Sequence, residues 1–210
     1  MARQEKARAG RRRTVTARDA AAPPGKIRII GGSLRRTPLP VADLPGLRPT
    51  PDRVRETTFN WLAHLLPSLD GASGLDLFAG TGALGLELAS RGARRVVLVE
   101  RDMRLAASLR DLAQRLAPDA VEVLAGDWRI ALSRLGSERF DVVFLDPPFG
   151  SDLLAPALAA AGALLAPGGL VYAEDDKALA PARAQDLGME VLRESRAGAV
   201  HFHLLRALPC

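Results

Sequence analysis

Cysteine is nearly absent from this chain: the one present is Cys210, so no disulfide can close within it, and no Cys/His cluster has the spacing of a metal site. Aromatics make up only 4% of the residues. No stretch approaches the roughly 18 consecutive apolar residues that a membrane helix requires. These absences argue against a disulfide scaffold, a metal module and a helical membrane protein. A cytoplasmic monomer without a metal is the expectation. The hydrophobic fraction of 48% is ordinary for a globular fold. At 210 residues the chain can bury roughly 70 per cent of its unfolded surface around one core. Acidic charge is scarce in one region only. Residues 1–55 hold 14 Lys and Arg against 4 Asp and Glu, a net of +10, whereas residues 56–210 hold 15 against 20, a net of −5. A basic front on a mildly acidic body suits a polyanion engaged from the N-terminal side.

Residues 1–25 lack apolar periodicity and end in Pro23-Pro24-Gly25, a breaker cluster. Their composition predicts a disordered basic tail, which could also serve as a nucleic-acid-contacting arm. An Arg-rich, acid-poor start is shared with organellar transit peptides, whereas Arg11-Arg12-Arg13 is not followed by the apolar region of a twin-arginine signal. The expected division is a tail over 1–25, a hairpin and loop over 26–50, and the main domain over 51–210. Ile27–Ile30 and Leu34–Leu39 flank Gly31-Gly32-Ser33 and read as a hairpin. Thr50-Pro51 supplies a cap and a first-turn proline for a helix that turns Val54, Phe59, Leu62 and Leu65 or Leu66 inward and Arg53, Arg55 and Glu56 outward.

Beyond Gly71 and Gly74, strand-like runs alternate with helix-like ones. The strands fall at Leu75–Phe78, Arg95–Glu100, Val121–Ala125, Phe140–Leu145 and Leu170–Glu174. The helices fall near Ala83–Ser90, Asp102–Leu116, Arg129–Leu135, Leu153–Leu165 and Lys177–Asp186. Such alternation predicts an α/β fold with a doubly wound, mostly parallel sheet. Met189–Arg193 and Ala199–Arg206, around a Gly-containing turn, add an antiparallel pair at the end. A hairpin closing an otherwise parallel sheet resembles the Rossmann-like plan of class I methyltransferases, to which the small N-terminal hairpin would be an addition.

Two motifs carry chemistry. In Asp76-Leu77-Phe78-Ala79-Gly80-Thr81-Gly82-Ala83, the glycines let the backbone turn sharply against a ligand at the strand's carboxyl edge. Gly80, Gly82 and Gly85 keep the G-x-G-x-x-G spacing of a dinucleotide fingerprint, so glycine spacing alone does not exclude NAD. Asp76 suits an ammonium group and would repel a pyrophosphate, which favours S-adenosylmethionine over NAD. Glu100 closes the next strand, where a carboxylate can accept from ribose hydroxyls. Asp127 can accept from an adenine amino group beside Trp128, or can simply cap the following helix. The second motif is Asp146-Pro147-Pro148-Phe149, after the apolar run Val142–Leu145. Two prolines give a rigid, extended exit from the strand. The Asp146 carboxylate and the Pro147 carbonyl can then grip the two hydrogens of a base amino group, with Phe149 as a stacking face for a flipped base.

With these motifs in place, the chain resembles the RsmD-type methyltransferases that modify guanine N2 in 16S ribosomal RNA. The resemblance runs over about residues 26–206. It rests on Ile27-Arg28-Ile29-Ile30-Gly31-Gly32, on Gly46–Thr57 with Phe59-Asn60-Trp61-Leu62, on Asp76–Gly85 and on Asp146–Phe149. It implies S-adenosylmethionine as methyl donor and 16S rRNA in an assembled or assembling 30S subunit as partner. It also implies that Arg48–Glu56 borders the methionine end of the cofactor and the RNA entrance. The residues expected at the cofactor are Thr50, Asp76, Phe78, Ala79, Gly80, Thr81, Gly82, Glu100, Arg101, Asp127 and Trp128. Those expected at the reacting base are Asp146, Pro147, Pro148 and Phe149, and those on the RNA are Arg35, Arg36, Arg48, Arg53 and Arg55. Two other readings stay open at this point: a DNA adenine-N6 or cytosine-N4 methyltransferase, which shares the Asp-Pro-Pro-Phe motif, and a non-catalytic binding module.

Deleting residues 1–25 should flatten the log–log salt dependence of RNA affinity, because fewer counterions are released on binding. Turnover at saturating substrate should change little, since no chemical motif lies there. An unchanged salt slope in filter-binding titrations would remove the tail from the RNA contact.

Overall fold

The computed structural model describes residues 27–41 and 50–209. The basic tail and Arg48 therefore lie outside the described residues. Strands β1 (Ile27–Arg28) and β2 (Pro38–Leu39) pair antiparallel, with Ile27 opposite Leu39. The hairpin is shorter than its apolar runs predict, because Gly31–Arg36 is turned backbone with Arg36 at φ 71. Helix α1 (Asp52–Leu65) follows. Then β3 (Ser73–Asp76), α2 (Ala83–Ser90), β4 (Arg95–Glu100), α3 (Met103–Leu116), β5 (Val121–Ala125), α4 (Trp128–Leu135), β6 (Phe140–Leu145), α5 (Leu154–Ala161) and β7 (Leu165–Asp175) alternate along the chain. Helix α6 (Pro181–Asp186) and strands β8 (Met189–Ala197) and β9 (Val200–Ala207) complete it.

The main sheet has seven strands in the order β5-β4-β3-β6-β7-β9-β8. Strands β3 to β7 are parallel to their neighbours among themselves, and β9 is antiparallel to both β7 and β8. The chain winds outward from β3 to β5, then returns to place β6 on the other side of β3. That reversal opens a crevice at the carboxyl ends of β3 and β6, where open α/β sheets bind ligands. The central strands read as almost unbroken apolar runs because helices cover both faces. Val96, Leu98, Val142, Phe144 and Tyr172 pack with Val54, Phe59 and Leu62 of α1, Leu86 and Leu88 of α2, and Leu109 and Leu112 of α3. Leu75, Val97, Val99, Val143 and Leu145 pack with Trp128 and Leu135 of α4 and with Leu154 and Leu158 of α5.

Several boundaries differ from the sequence expectation. Strand β3 starts and stops two residues early, so Leu77 and Phe78 belong to the loop. Strand β7 begins at Leu165 and helix α6 only at Pro181, since a proline at the first helical position sets the start there. Thr50 does not cap α1. Pro51 occupies the cap position with no side-chain bond, and Thr50 turns its hydroxyl inward.

Arg55 requires a correction of another kind. It was expected on the outer, RNA-facing side of α1, yet its side chain is fully buried. Its Nη2 donates to the Arg28 carbonyl at 2.8 Å and to Asp52 at 2.6 Å, its Nε donates to the Thr50 carbonyl at 3.2 Å, and Nη1 lies 3.6 Å from Glu87. Glu87, itself fully buried on α2, accepts from the Ile30 amide at 2.6 Å and the Gly31 amide at 2.8 Å, and pairs with Arg91 at 2.8 Å. The hairpin thus docks on α2 through a buried charge network. Gly32 closes the contact at φ +75, where an added Cβ would meet the Ser90 carbonyl oxygen at 1.8 Å. Only glycine fits there, which explains the second glycine of the Gly31-Gly32 pair.

Replacing Arg55 by Met would remove the buried cation beside Glu87 and Asp52 and leave the Arg28 and Thr50 carbonyls without their donor. Breaking a buried pair in this way should cost about 3–5 kcal/mol, read as a lower urea midpoint. Arg53→Ala, on the exposed side, should stay within about 0.5 kcal/mol. Equal midpoints for the two variants would contradict the buried role of Arg55.

Candidate active site

Three carboxylates converge at the crevice because neighbouring strands end in register. Asp76 is the last residue of β3 and lies opposite Phe144 of β6. Asp146 stands one residue past β6 and Glu174 near the end of β7, on the rung after the Leu145–Ala173 pair. Side chains two residues apart on a strand share a face. Asp146 and Glu174 therefore lie above Phe144 and Tyr172, on the side covered by α1. Asp76 and Glu174 are each 2% exposed, whereas Asp146 is half-buried at the mouth of the crevice.

Burial sets the electrostatics. It pushes the Asp76 carboxyl up to about 7, against the lowering effect of the Phe78 amide, and the charge of Glu100 raises it further. Burial first, then the charges of Glu174 and Asp76, hold the Asp146 carboxyl well above the usual carboxylate range. Burial also raises Glu174, opposed by hydroxyls of Tyr172 and Thr50. Among the described residues no Arg, Lys or His lies within ion-pair distance of these three carboxylates. Such a site has a deficit of positive charge that a cationic ligand would fill.

The loop from Asp76 to α2 is shaped to receive one. Gly80 and Gly82 adopt φ 52 and 77, a region that side chains disfavour. A Cβ on Gly82 would meet Leu109 at 2.6 Å. The Ala79 amide donates to the Val99 carbonyl and the Gly80 amide to Glu100 Oε2, both within 2.9 Å, which ties the loop to the end of β4. Glu100 also accepts from the Asp102 amide at 2.7 Å. It therefore braces the loop as well as facing the crevice, a second duty that its spacing did not reveal. Phe78 is half-buried, Ala79 and Thr81 are buried, and Arg101 is exposed. Asp127 caps α4 by accepting from the Arg129 amide at 2.8 Å, with its other oxygen 3.8 Å from the Arg129 guanidinium. Trp128 is 6% exposed, wedged 6.1 Å from Phe78, with Arg129 over its ring at 4.5 Å.

On the base side, Pro147 is buried, Pro148 is exposed and Phe149 is 42% exposed. Arg35, Arg36 and Arg53 are exposed. A cavity of about 310 Å³ between hairpin and α1 is lined by Arg28, Arg35 and Arg36 and by Asp52 and Glu56. None of the three converging carboxylates lines it, so it is separate from the crevice. Sequence reasoning missed Glu174 and Tyr172. The signal available was the first of three acids, Glu174-Asp175-Asp176, ending the apolar run Leu170–Ala173, and such a cluster reads equally well as a solvated strand end. Among the described residues no group of three or more His, Cys, Asp and Glu could hold a metal ion, and no helix is long and apolar enough to cross a membrane.

The family model described as Conserved hypothetical protein 95 matches residues 27–206. Ribosomal RNA small subunit methyltransferase D of Escherichia coli K12 is 44% identical over 160 residues, covering 72% of this chain and 76% of that protein. Its namesake in Haemophilus influenzae is 40% identical over 158 residues, covering 73% and 80%. The solved structure of yhhF from Escherichia coli superposes with a TM-score of 0.69 at 40% identity, covering 88% of this chain and 99% of that one.

Because folding raises the Asp76 carboxyl from 3.8 to about 7, the folded state binds the extra proton between those values. The ligand-free protein should therefore lose stability as pH rises through that window. Asp76→Asn should melt higher than wild type at pH 8 and close to it at pH 4, a difference on the order of 1–4 kcal/mol. Identical melting curves at pH 8 would show that Asp76 is not desolvated.

Proposed function

The chain belongs to the family described as Conserved hypothetical protein 95, the RsmD-type rRNA methyltransferases, and we propose that it transfers a methyl group from S-adenosylmethionine to N2 of a guanine in 16S rRNA. The observation that carries this reading is Asp146 at the mouth of the crevice, across the switch point from Asp76 and the glycine loop. Bound S-adenosylmethionine supplies an electrophilic methyl group on a sulfonium, together with an ammonium group. Asp76 is the carboxylate that would hold that ammonium, with Gly80, Thr81 and Gly82 allowing close backbone approach. Glu100 and Arg101 would border the ribose, and Asp127 and Trp128 the adenine.

The substrate amino nitrogen is a weak nucleophile because its lone pair is delocalised into the ring. Asp146 and the Pro147 carbonyl accept its two hydrogens and favour the pyramidal nitrogen, which aims the lone pair at the methyl group. This grip tightens as the nitrogen gains positive charge, so it lowers the barrier rather than merely aiding binding. Pro147 and Pro148 hold the geometry, and Phe149 stacks on the flipped base. Arg35, Arg36 and Arg53 contact the RNA backbone from the hairpin side, with the protein acting as a monomer on the 30S subunit or its precursor.

Asp146→Ala should fold, bind S-adenosylmethionine nearly normally and lose roughly 10²–10³ in single-turnover rate. Asp146→Asn should retain more, since its amide oxygen still accepts one hydrogen. Labelled methyl transfer to purified small subunits, naked rRNA and DNA tests both the mechanism and the substrate. Wild-type chemistry in Asp146→Ala, or methylation of DNA alone, would overturn the reading.

A further inference from the structure

Asp146 has a second acid beside it, the buried Glu174. Glu174 Oε1 lies 2.9 Å from the Thr50 hydroxyl and 2.8 Å from the Tyr172 hydroxyl, and the same Thr50 oxygen lies 3.3 Å from Asp146 Oδ2. A threonine hydroxyl carries one hydrogen. It can donate to Glu174 or to Asp146, not to both. The remaining contact is a hydrogen bond only when that carboxyl carries a proton of its own. Two desolvated carboxyls joined by one hydroxyl thus hold one proton between them, because like charges this close do not both ionise. The groups facing the pair are Asp76 from β3, Tyr172 from β7 and Thr50 from the segment before α1. Asp76 adds further negative charge, which favours keeping the proton.

We propose that Glu174 is a positioning residue for methyl transfer, taking the shared proton through Thr50 when a base amino group enters and leaving Asp146 as the anion that receives the N–H groups. The transfer balances within the chain. The O–H bond of Asp146 breaks as one forms on Thr50 Oγ1, and Thr50's own hydrogen passes to Glu174 Oε1. Negative charge moves from Glu174 to Asp146, and no outside acid or base takes part. The fold supplies the parts. Parallel register sets the two acids side by side, and the Arg55 bond to the Thr50 carbonyl fixes the bridging hydroxyl between them.

The inference rests on the role given to Asp146, so its test needs one readout without substrate. Carbon-detected NMR would follow the side-chain carboxyls of the ligand-free, full-length protein against pH, in wild type and Glu174→Gln. Glutamine keeps hydrogen bonding to Thr50 and Tyr172 but cannot titrate. In wild type the Asp146 signal should follow two steps. In Glu174→Gln it should follow one, about one pH unit lower, the scale of coupling between interacting carboxyls. The acid limb of the kcat profile on small subunits should shift the same way, with KM unchanged. A single Asp146 step at the same pH in both proteins overturns the proposal, and so does an unmoved kcat limb. Two coupled steps without any methylation by wild type would uphold the shared proton and sink the substrate reading. Should Glu174→Gln not fold, Thr50→Val carries the test: kcat falls without a rise in KM, and Thr50→Ser restores it. A Thr50→Val enzyme with wild-type kcat again overturns the proposal.

Discussion

Carboxylates resist being taken out of water together, and the sheet forces three of them to do so. Parallel strands end along a common edge, so residues that close β3, β6 and β7 become neighbours whatever their chemistry. Here those residues are Asp76, Asp146 and Glu174, held among Phe144, Tyr172 and the Thr50 segment. Each is pushed above the ordinary carboxylate range by burial, and the charge of Glu174 raises both Asp146 and Asp76, with Asp76 adding to Asp146. The arrangement costs stability in the ligand-free protein near neutral pH. It also suits the proposed function, which needs a cation beside Asp76 and hydrogen donors beside Asp146.

Holding such a site open requires support from outside it, and the buried charges of Arg55 and Glu87 provide that. Arg55 reaches the Arg28 carbonyl in the hairpin, the Thr50 carbonyl beside the acids, and Glu87 on α2. One side chain therefore joins the small N-terminal hairpin to the position of the hydroxyl that bridges Asp146 and Glu174. Trp61 of α1 stacks on Phe202 of β9 at 5.3 Å and fixes the same helix from its other end. The hairpin is then part of the site's architecture as well as a surface for exposed Arg35 and Arg36. A buried pair is often no more stabilising than an apolar contact. Its value here lies in specifying where Thr50 sits.

Much of the fold was legible in the order of residues, for a simple reason. Strands buried on both faces must be apolar throughout, so Arg95–Glu100 and Phe140–Leu145 appear in the structure with the bounds their composition predicts, and the half-buried edge strand Val121–Ala125 keeps its bounds as well. Helices between them carry a helical period, and Ala83–Ser90 likewise agrees. Local chemistry also survives folding. Glycines at positive φ in the Asp76–Gly82 loop and prolines after Asp146 act through their own backbones and need no distant partner. Family membership followed from these same local motifs.

What the order of residues did not show depends on partners far away in the chain. Arg55 follows the period of an exposed helix position, and only the approach of Glu87, 32 residues on, makes it an interior strut. Thr50 reads as a helix cap because a Thr-Pro pair usually is one, yet two acids 96 and 124 residues away take its hydroxyl. Glu174 looks like any polar residue closing a strand until the parallel register sets it beside Asp146. Local backbone preference and burial period are written within a few residues, so the sequence by itself determined the sheet, the loop and the rigid Asp-Pro-Pro-Phe exit. Charge pairing and desolvation are pairwise and decay over a few ångströms, so only the tertiary structure decided which charges are buried, and which two carboxyls share a hydroxyl.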